Sequence, residues 1–177
     1  LDLKKQHKDL GLIESFFHGK SSGVDALTCF TGHSLHFLSG GKIIRIEVDL
    51  LHPPQGYRFF LLDSGQELKT GPLVKTFLNN MKKEEYKQEI YEDYFSLIHK
   101  FIASLTHAVD ADPALIFRAI SDFQWKHFRD MIPKKMEDAW IEGQVSNSYY
   151  LKLNGSGGGF MLGIAHEDSM ETVEGML

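Results

Sequence analysis

The apolar residues of the first stretch recur at helical spacing. Leu3, Leu10, Ile13, Phe16 and Phe17 fall roughly on one face, so residues 3–17 are predicted to end a helix. Residues 18–25 are rich in Gly and Ser and must turn. From Thr28 to Phe37 apolar and polar positions alternate loosely. From Lys42 to Leu50 they alternate cleanly, with Ile44, Ile46 and Val48 on one face and Arg45, Glu47 and Asp49 on the other. Ser39-Gly40-Gly41 lies between the two runs, and the pair predicts a β-hairpin. Pro53-Pro54-Gln55-Gly56 then breaks the pattern and marks a candidate domain boundary, dividing residues 1–56 from 57–177.

Beyond that break, Tyr57 to Leu62 is a compact apolar run, predicted to be a buried strand that Asp63-Ser64-Gly65 ends. Residues 72–83 and 84–107 predict helices. In the second, Ile90, Tyr94, Leu97, Phe101 and Leu105 keep helical spacing. Asp112-Pro113 supplies an N-cap and a first-turn proline for a helix reaching about Met131, and Pro133 opens another to about Glu142. Tyr149–Leu153 and Phe160–His166 read as strands around a glycine loop. A strand, then helices, then a strand pair predicts an α+β fold.

Composition narrows the function classes. Thirteen Phe, six Tyr and two Trp among 177 residues give bulk for a core. A net charge of -5 supplies no field favouring nucleic acid or an anionic membrane. The uncharged run Leu153–Ala165 is too short and too glycine-rich for a membrane span, which needs roughly 20 apolar residues. Cys29 is the one cysteine, so no internal disulfide forms, which suits a reducing cytoplasm; it is expected to be a small buried residue. The first residues show neither an initiator Met nor an apolar signal core, the look of a chain entered in its middle.

Two stretches carry candidate chemistry: Glu14 followed by His18-Gly19-Lys20-Ser21-Ser22-Gly23-Val24-Asp25, and Lys152-Leu153-Asn154-Gly155-Ser156-Gly157-Gly158-Gly159. Taken singly, Glu14 reads as a solvated helix residue and Asp25 as a cap. The spaced motif favours a site, because Gly19 and Gly23 supply the turn that carries the aspartate. The glycines between two strands suggest close backbone approach to a ligand or another loop. Together, in this order, the stretches resemble the GHMP family of small-molecule kinases, most closely its mevalonate kinase branch. Ser21 stands where the family often has Pro, and Asn154 and Ser156 replace Thr and Ala.

The resemblance implies a fold and a set of roles. Residues 1–56 would complete the family's ribosomal-protein-like N-terminal domain, and 57–177 would form its C-terminal domain, a ferredoxin-like sheet backed by helices. By position, Glu14 would hold Mg²⁺ and Asp25 would be the catalytic aspartate beside the hydroxyl to be phosphorylated. His18, Gly19, Ser22 and Gly23 would shape the turn. Gly155, Ser156, Gly157, Gly158 and Gly159 would form a loop next to the active site, and Thr70 would lie near the substrate or cap the helix after it. ATP would be the co-substrate. The chemistry is coherent: phosphoryl transfer needs a positioned nucleophile and neutralised phosphate charge. A carboxylate can orient the hydroxyl and take its proton, and Mg²⁺ is held by one carboxylate with phosphates and waters.

The family's phosphate loop, a Pro-x-x-x-Gly-Leu-Gly-Ser-Ser-Ala pattern, does not occur in this sequence. The implied parent is therefore a cytoplasmic enzyme of isoprenoid biosynthesis that requires an upstream segment, with mevalonate as substrate and a homodimer left open. Other GHMP kinases acting on sugars or phosphomevalonate, and a non-catalytic GHMP-fold binding module, are the alternatives. His33 and His36, three apart in a predicted strand, would point to opposite faces and not share a zinc. Lys82, Lys83, Glu84 and Glu85 read as a solvated helix end, and Trp125 and Phe128 as core.

Overall fold

The computed structural model describes residues 2–19, 21–48, 56–65, 70–106, 108–155 and 159–176. The protein is α+β and divides into two compact units, Leu1–Val48 and Asp49–Leu177.

In the first unit, α1 (Leu3–His18) starts on Asp2, whose carboxylate accepts from Lys4 N and Lys5 N at 3.1 Å each. α2 (Val24–Thr31) packs against it, and β1 (Ser34–Phe37) pairs antiparallel with β2 (Ile43–Ile46), with Phe37 opposite Ile43. The hairpin is present, but its first strand is shorter than the alternation from Thr28 predicts. Residues 28–31 form the last turn of α2, where Thr28 Oγ1 donates to Val24 O at 2.8 Å and Gly32 N to Thr28 O at 3.0 Å. A run that short fits either period, and the buried Leu27, packing with the helix, settles it. The same helix corrects the expectation for Cys29, which is exposed. It sits about 200° around α2 from Leu27, on the opposite side.

The second unit begins with β3 (Tyr57–Asp63) and continues through α3 (Thr70–Asn80) and α4 (Glu84–Glu89). A π-helical turn, Ile90–Tyr94, then leads directly into α5 (Phe95–Leu105). α6 (Pro113–His127) follows with Asp112 as N-cap, its Oδ1 accepting from Ala114 N at 2.8 Å. After two short 3₁₀ turns come α7 (Glu137–Ser146), β4 (Tyr149–Leu153), β5 (Phe160–His166) and α8 (Met170–Met176). The helix predicted over 84–107 is thus one rod with a π turn inserted.

β5 is the centre of an antiparallel sheet ordered β3-β5-β4. One face carries Phe59 and Tyr150, which meet α5 and α6: Phe59 contacts Phe101 and Phe117, and Arg118 lies over the Tyr150 ring. The other carries Tyr149, whose Oη donates to Ala139 O of α7 at 2.6 Å. Trp140, Leu151, Met161 and Val173 are buried in the core on this side. Phe128 is buried as expected, while Trp125 is half-buried, stacked on Trp140 at 6.1 Å with Arg129 over its ring. At the sheet centre the Phe60 ring occupies the place a side chain on Gly163 would take: a Cβ there would sit 2.1 Å from Phe60 Cζ. β3, predicted to be buried, is an edge strand, with Leu62 buried and Leu61 61% exposed.

Candidate active site

The acidic motif folds around a close approach of two helices. Gly23 precedes α2 with φ +73, and a Cβ on it would lie 2.8 Å from His7 O and 2.9 Å from Gly11 Cα. Only glycine brings α2 this near to α1. The turn is then tied down by polar groups. His7 Nε2 donates to Ser22 O at 2.7 Å, the ring nitrogen being the donor because a carbonyl only accepts. Ser15 Oγ donates to Gly11 O at 2.6 Å and accepts from Ser21 N at 3.0 Å. Ser21 Oγ accepts from Gly23 N at 3.0 Å and donates to Glu14 Oε2.

Glu14 is therefore half-buried and bonded, not a freely solvated helix residue. Its other oxygen, Oε1, accepts no hydrogen bond among the described residues. Asp25 stands in the first turn of α2, exposed, with no hydrogen bond or ion pair among the described residues. A negative side chain is favoured at that helix end. Ser21 is what the sequence reading missed. It looked like a departure from the family's proline, yet it links the Glu14 carboxylate to the turn that carries Asp25. Proline there would lack both the N–H given to Ser15 and the hydroxyl given to Glu14. The signal available was the pair Gly11 and Ser15, four apart and one turn from the motif. His18 ends α1 and Gly19 caps it at φ +81, with Gly19 N donating to Ser15 O at 3.1 Å; the His18 side chain lies outside the described residues. Ser22 Oγ accepts from Val24 N at 3.4 Å, so it helps to start α2.

The donor set is compatible with Mg²⁺ held through one protein carboxylate oxygen and completed by phosphate and water. Among the described residues no three or more His, Cys, Asp and Glu side chains gather into a metal-holding group.

The glycine loop belongs to the second unit. Gly155 turns the chain out of β4 at φ +59, and Gly159 leads into β5. Ser156, Gly157 and Gly158 lie outside the described residues, as does the Thr70 side chain at the start of α3. Gly159 O accepts from Ser64 N at 2.6 Å, tying the loop to the end of β3. Beside it, Lys152 Nζ donates to Leu153 O at 2.9 Å, and burial pushes this ammonium down to about 8. Gln124 of α6 closes the outer edge of β4, its Oε1 accepting from Leu153 N at 2.7 Å. Between α3, the π turn, α6 and Gly155 lies a largely apolar cavity of about 250 Å³. Glu14, Ser21, Ser22, Gly23 and Asp25 are thus brought together in one unit, and Thr70, Gly155 and Gly159 stand in the other.

No protein-family model, no curated protein and no solved structure matches the chain.

Proposed function

We propose that this chain forms the later half of a GHMP-type small-molecule kinase, which moves the γ-phosphoryl group of ATP to a hydroxyl, with mevalonate as the favoured substrate. The observation that carries the reading is the hydrogen-bonded turn from Glu14 through Ser21 to Gly23. It makes the spaced motif one structural unit and leaves the Asp25 carboxylate at its tip without a partner among the described residues. In this reading Asp25 orients the acceptor hydroxyl and takes its proton as the oxygen bonds to the γ-phosphorus and ADP leaves. Glu14 offers Oε1 as a hard ligand while Ser21 holds Oε2 in place. Mg²⁺, when bound, neutralises phosphate charge.

Two further features support it. In the second unit, the antiparallel order β3-β5-β4 with helices between β3 and β4 and α8 after β5 fits a ferredoxin-like sheet. In the first unit, Leu27 is the one buried large hydrophobic among the described residues, while Leu12, Ile13, Phe16 and Phe30 are exposed. A two-stranded hairpin and two helices with so little core are not stable alone. Of the apolar face of α1, Leu3 and Leu10 are half-buried while Ile13, Phe16 and Phe17 are exposed, as the reading requires if an upstream segment completes this domain and supplies the phosphate-binding loop. Among the described residues no helix is long and apolar enough to cross a membrane.

The test is ADP formation by the full-length parent with Mg²⁺, ATP and mevalonate, galactose or homoserine. Turnover of mevalonate alone is expected. Turnover of a hexose without mevalonate would move the substrate within the family, and no turnover of any would favour the non-catalytic binding module.

A further inference from the structure

The cavity beside Gly155 has walls from four elements: Val74 and Phe77 of α3, Tyr94 of the π turn, Gln124 and Phe128 around the end of α6, and Gly155 itself. Its polarity is fixed by donor and acceptor bookkeeping. Leu153 N–H can only donate, so Gln124 turns its Oε1 to it at 2.7 Å. That leaves Gln124 Nε2 as the donor to Tyr94 Oη, at 2.8 Å. The phenol oxygen is thereby an acceptor toward Gln124, and its own proton has no acceptor among the described residues. Burial holds the phenol above its ordinary value, against the opposing pull of the Gln124 bond, so it stays protonated at neutral pH. Phe123 stacks on the ring at 5.0 Å and Phe128 meets it edge-on at 5.2 Å, which fixes its direction.

A second observation is independent of these bonds. Tyr94 ends the π-helical turn Ile90–Tyr94. Such a turn inserts one residue into an α-helix, and it is rare and frequently found at functional sites. Here the insertion resets the helical phase at Tyr94, which lines the cavity together with its hydrogen-bond partner Gln124.

We propose that this cavity is a binding site for a compact, uncharged, apolar molecule carrying one hydrogen-bond acceptor, which Tyr94 Oη–H recognises. The volume suits the ligand class: an apolar protein cavity of about 150 Å³ takes benzene, and about 250 Å³ takes a ring with a short substituent. Among the described residues no charged side chain lines the space, so a free phosphate or carboxylate finds no counter-ion among them. The site lies within the second unit and does not depend on the kinase reading.

The test uses two probes of one shape on the full chain: acetophenone, and 2-phenylpropene, in which =CH₂ replaces =O. Binding is read from amide shifts of Leu153 and Gly155 by NMR titration. Acetophenone is expected to bind the tighter by roughly 3- to 10-fold, the worth of one hydrogen bond. Tyr94→Phe should erase that difference while leaving 2-phenylpropene unchanged. Val74→Phe, which fills the space from a half-exposed helix position, should abolish binding of both. Equal affinity of the two probes for the wild type, or no shift at these amides with either, would overturn the proposal without any variant having to fold.

Discussion

Replacing Gly23 by Ala should be far more damaging than replacing Gly32, although both bracket α2 with positive φ, +73 and +63. An alanine in the left-handed region loses roughly 1–2 kcal/mol at either position. At Gly32 nothing lies within 4 Å of the new methyl, so the loss ends there. At Gly23 the methyl would sit 2.8 Å from His7 O, 2.9 Å from Gly11 Cα and 3.1 Å from Gly11 N, all backbone atoms that cannot swing aside. α2 must lift from α1, an overpacking worth about 1–3 kcal/mol. The lift also stretches the His7–Ser22 bond of 2.7 Å, worth about 1 kcal/mol. The difference between the variants should therefore be about 2–4 kcal/mol. The assay is native-state hydrogen exchange at the amides of α1 and α2 in the full-length parent, with urea denaturation alongside, because the two units need not unfold together. Equal protection in the two variants, within about 0.5 kcal/mol, would mean that the helix contact contributes nothing and that the motif's geometry is not held by Gly23.

Gly163→Ala should destabilise the second unit by about 2 kcal/mol, since the Phe60 ring must leave its place, and a Phe60→Leu background should recover at least about 1 kcal/mol of that in a denaturation double-mutant cycle; simple additivity would refute the contact. Lys152→Met should stabilise the fold at pH 7, where the desolvated ammonium is still charged, by about 1–2 kcal/mol. Between pH 8 and the ordinary lysine range the unfolded chain holds a proton that the folded chain has released, so wild-type stability should rise with pH there, and the variant should lose that rise in paired thermal melts at pH 7.5 and 9.5. Glu14→Gln in the full-length parent keeps an acceptor for Ser21 but offers a poorer cation ligand, so the Mg²⁺ concentration for half-maximal rate should rise with the fold unchanged; an identical Mg²⁺ dependence would assign Glu14 to the turn alone.

Elements with local signals were legible in the sequence. Asp112-Pro113 opens α6 because both its cap and its first-turn proline act within the helix itself, and the strands around the glycine loop stand where their apolar runs place them. What was hidden depends on contacts distant along the chain. Residues 28–31 alternate like a strand, yet follow Leu27 into the helix that packs on α1. The π turn has no compositional mark, since residues 84–105 keep a usable helical spacing on either side of it. Phe60 over Gly163 needs two strands in register before it exists. In the acidic motif the spacing of Glu14, His18 and Asp25 is visible in the sequence, whereas the hydrogen bonds of Ser21 are not, because its partners Ser15 and Glu14 meet it only once the turn has closed. The apolar spacing of α1 puts Ile13 and Phe16 on one face, and both are exposed, a surface that the proposed upstream segment would cover.

A role for Asp25 in phosphoryl transfer is tested by following the γ-phosphate of labelled ATP onto mevalonate in the full-length parent, wild type against Asp25→Asn. Asparagine keeps the volume and a hydrogen bond to the hydroxyl but accepts no proton at neutral pH, and general-base assistance is worth about 10²–10⁴-fold. Asp25 is exposed and unpaired among the described residues, so the substitution should leave circular dichroism and nucleotide binding unchanged. The wild type is expected to transfer phosphate, and the folded variant to be slower by at least about 100-fold. A folded variant that transfers phosphate at the wild-type rate, or a wild type that transfers none, would contradict that role.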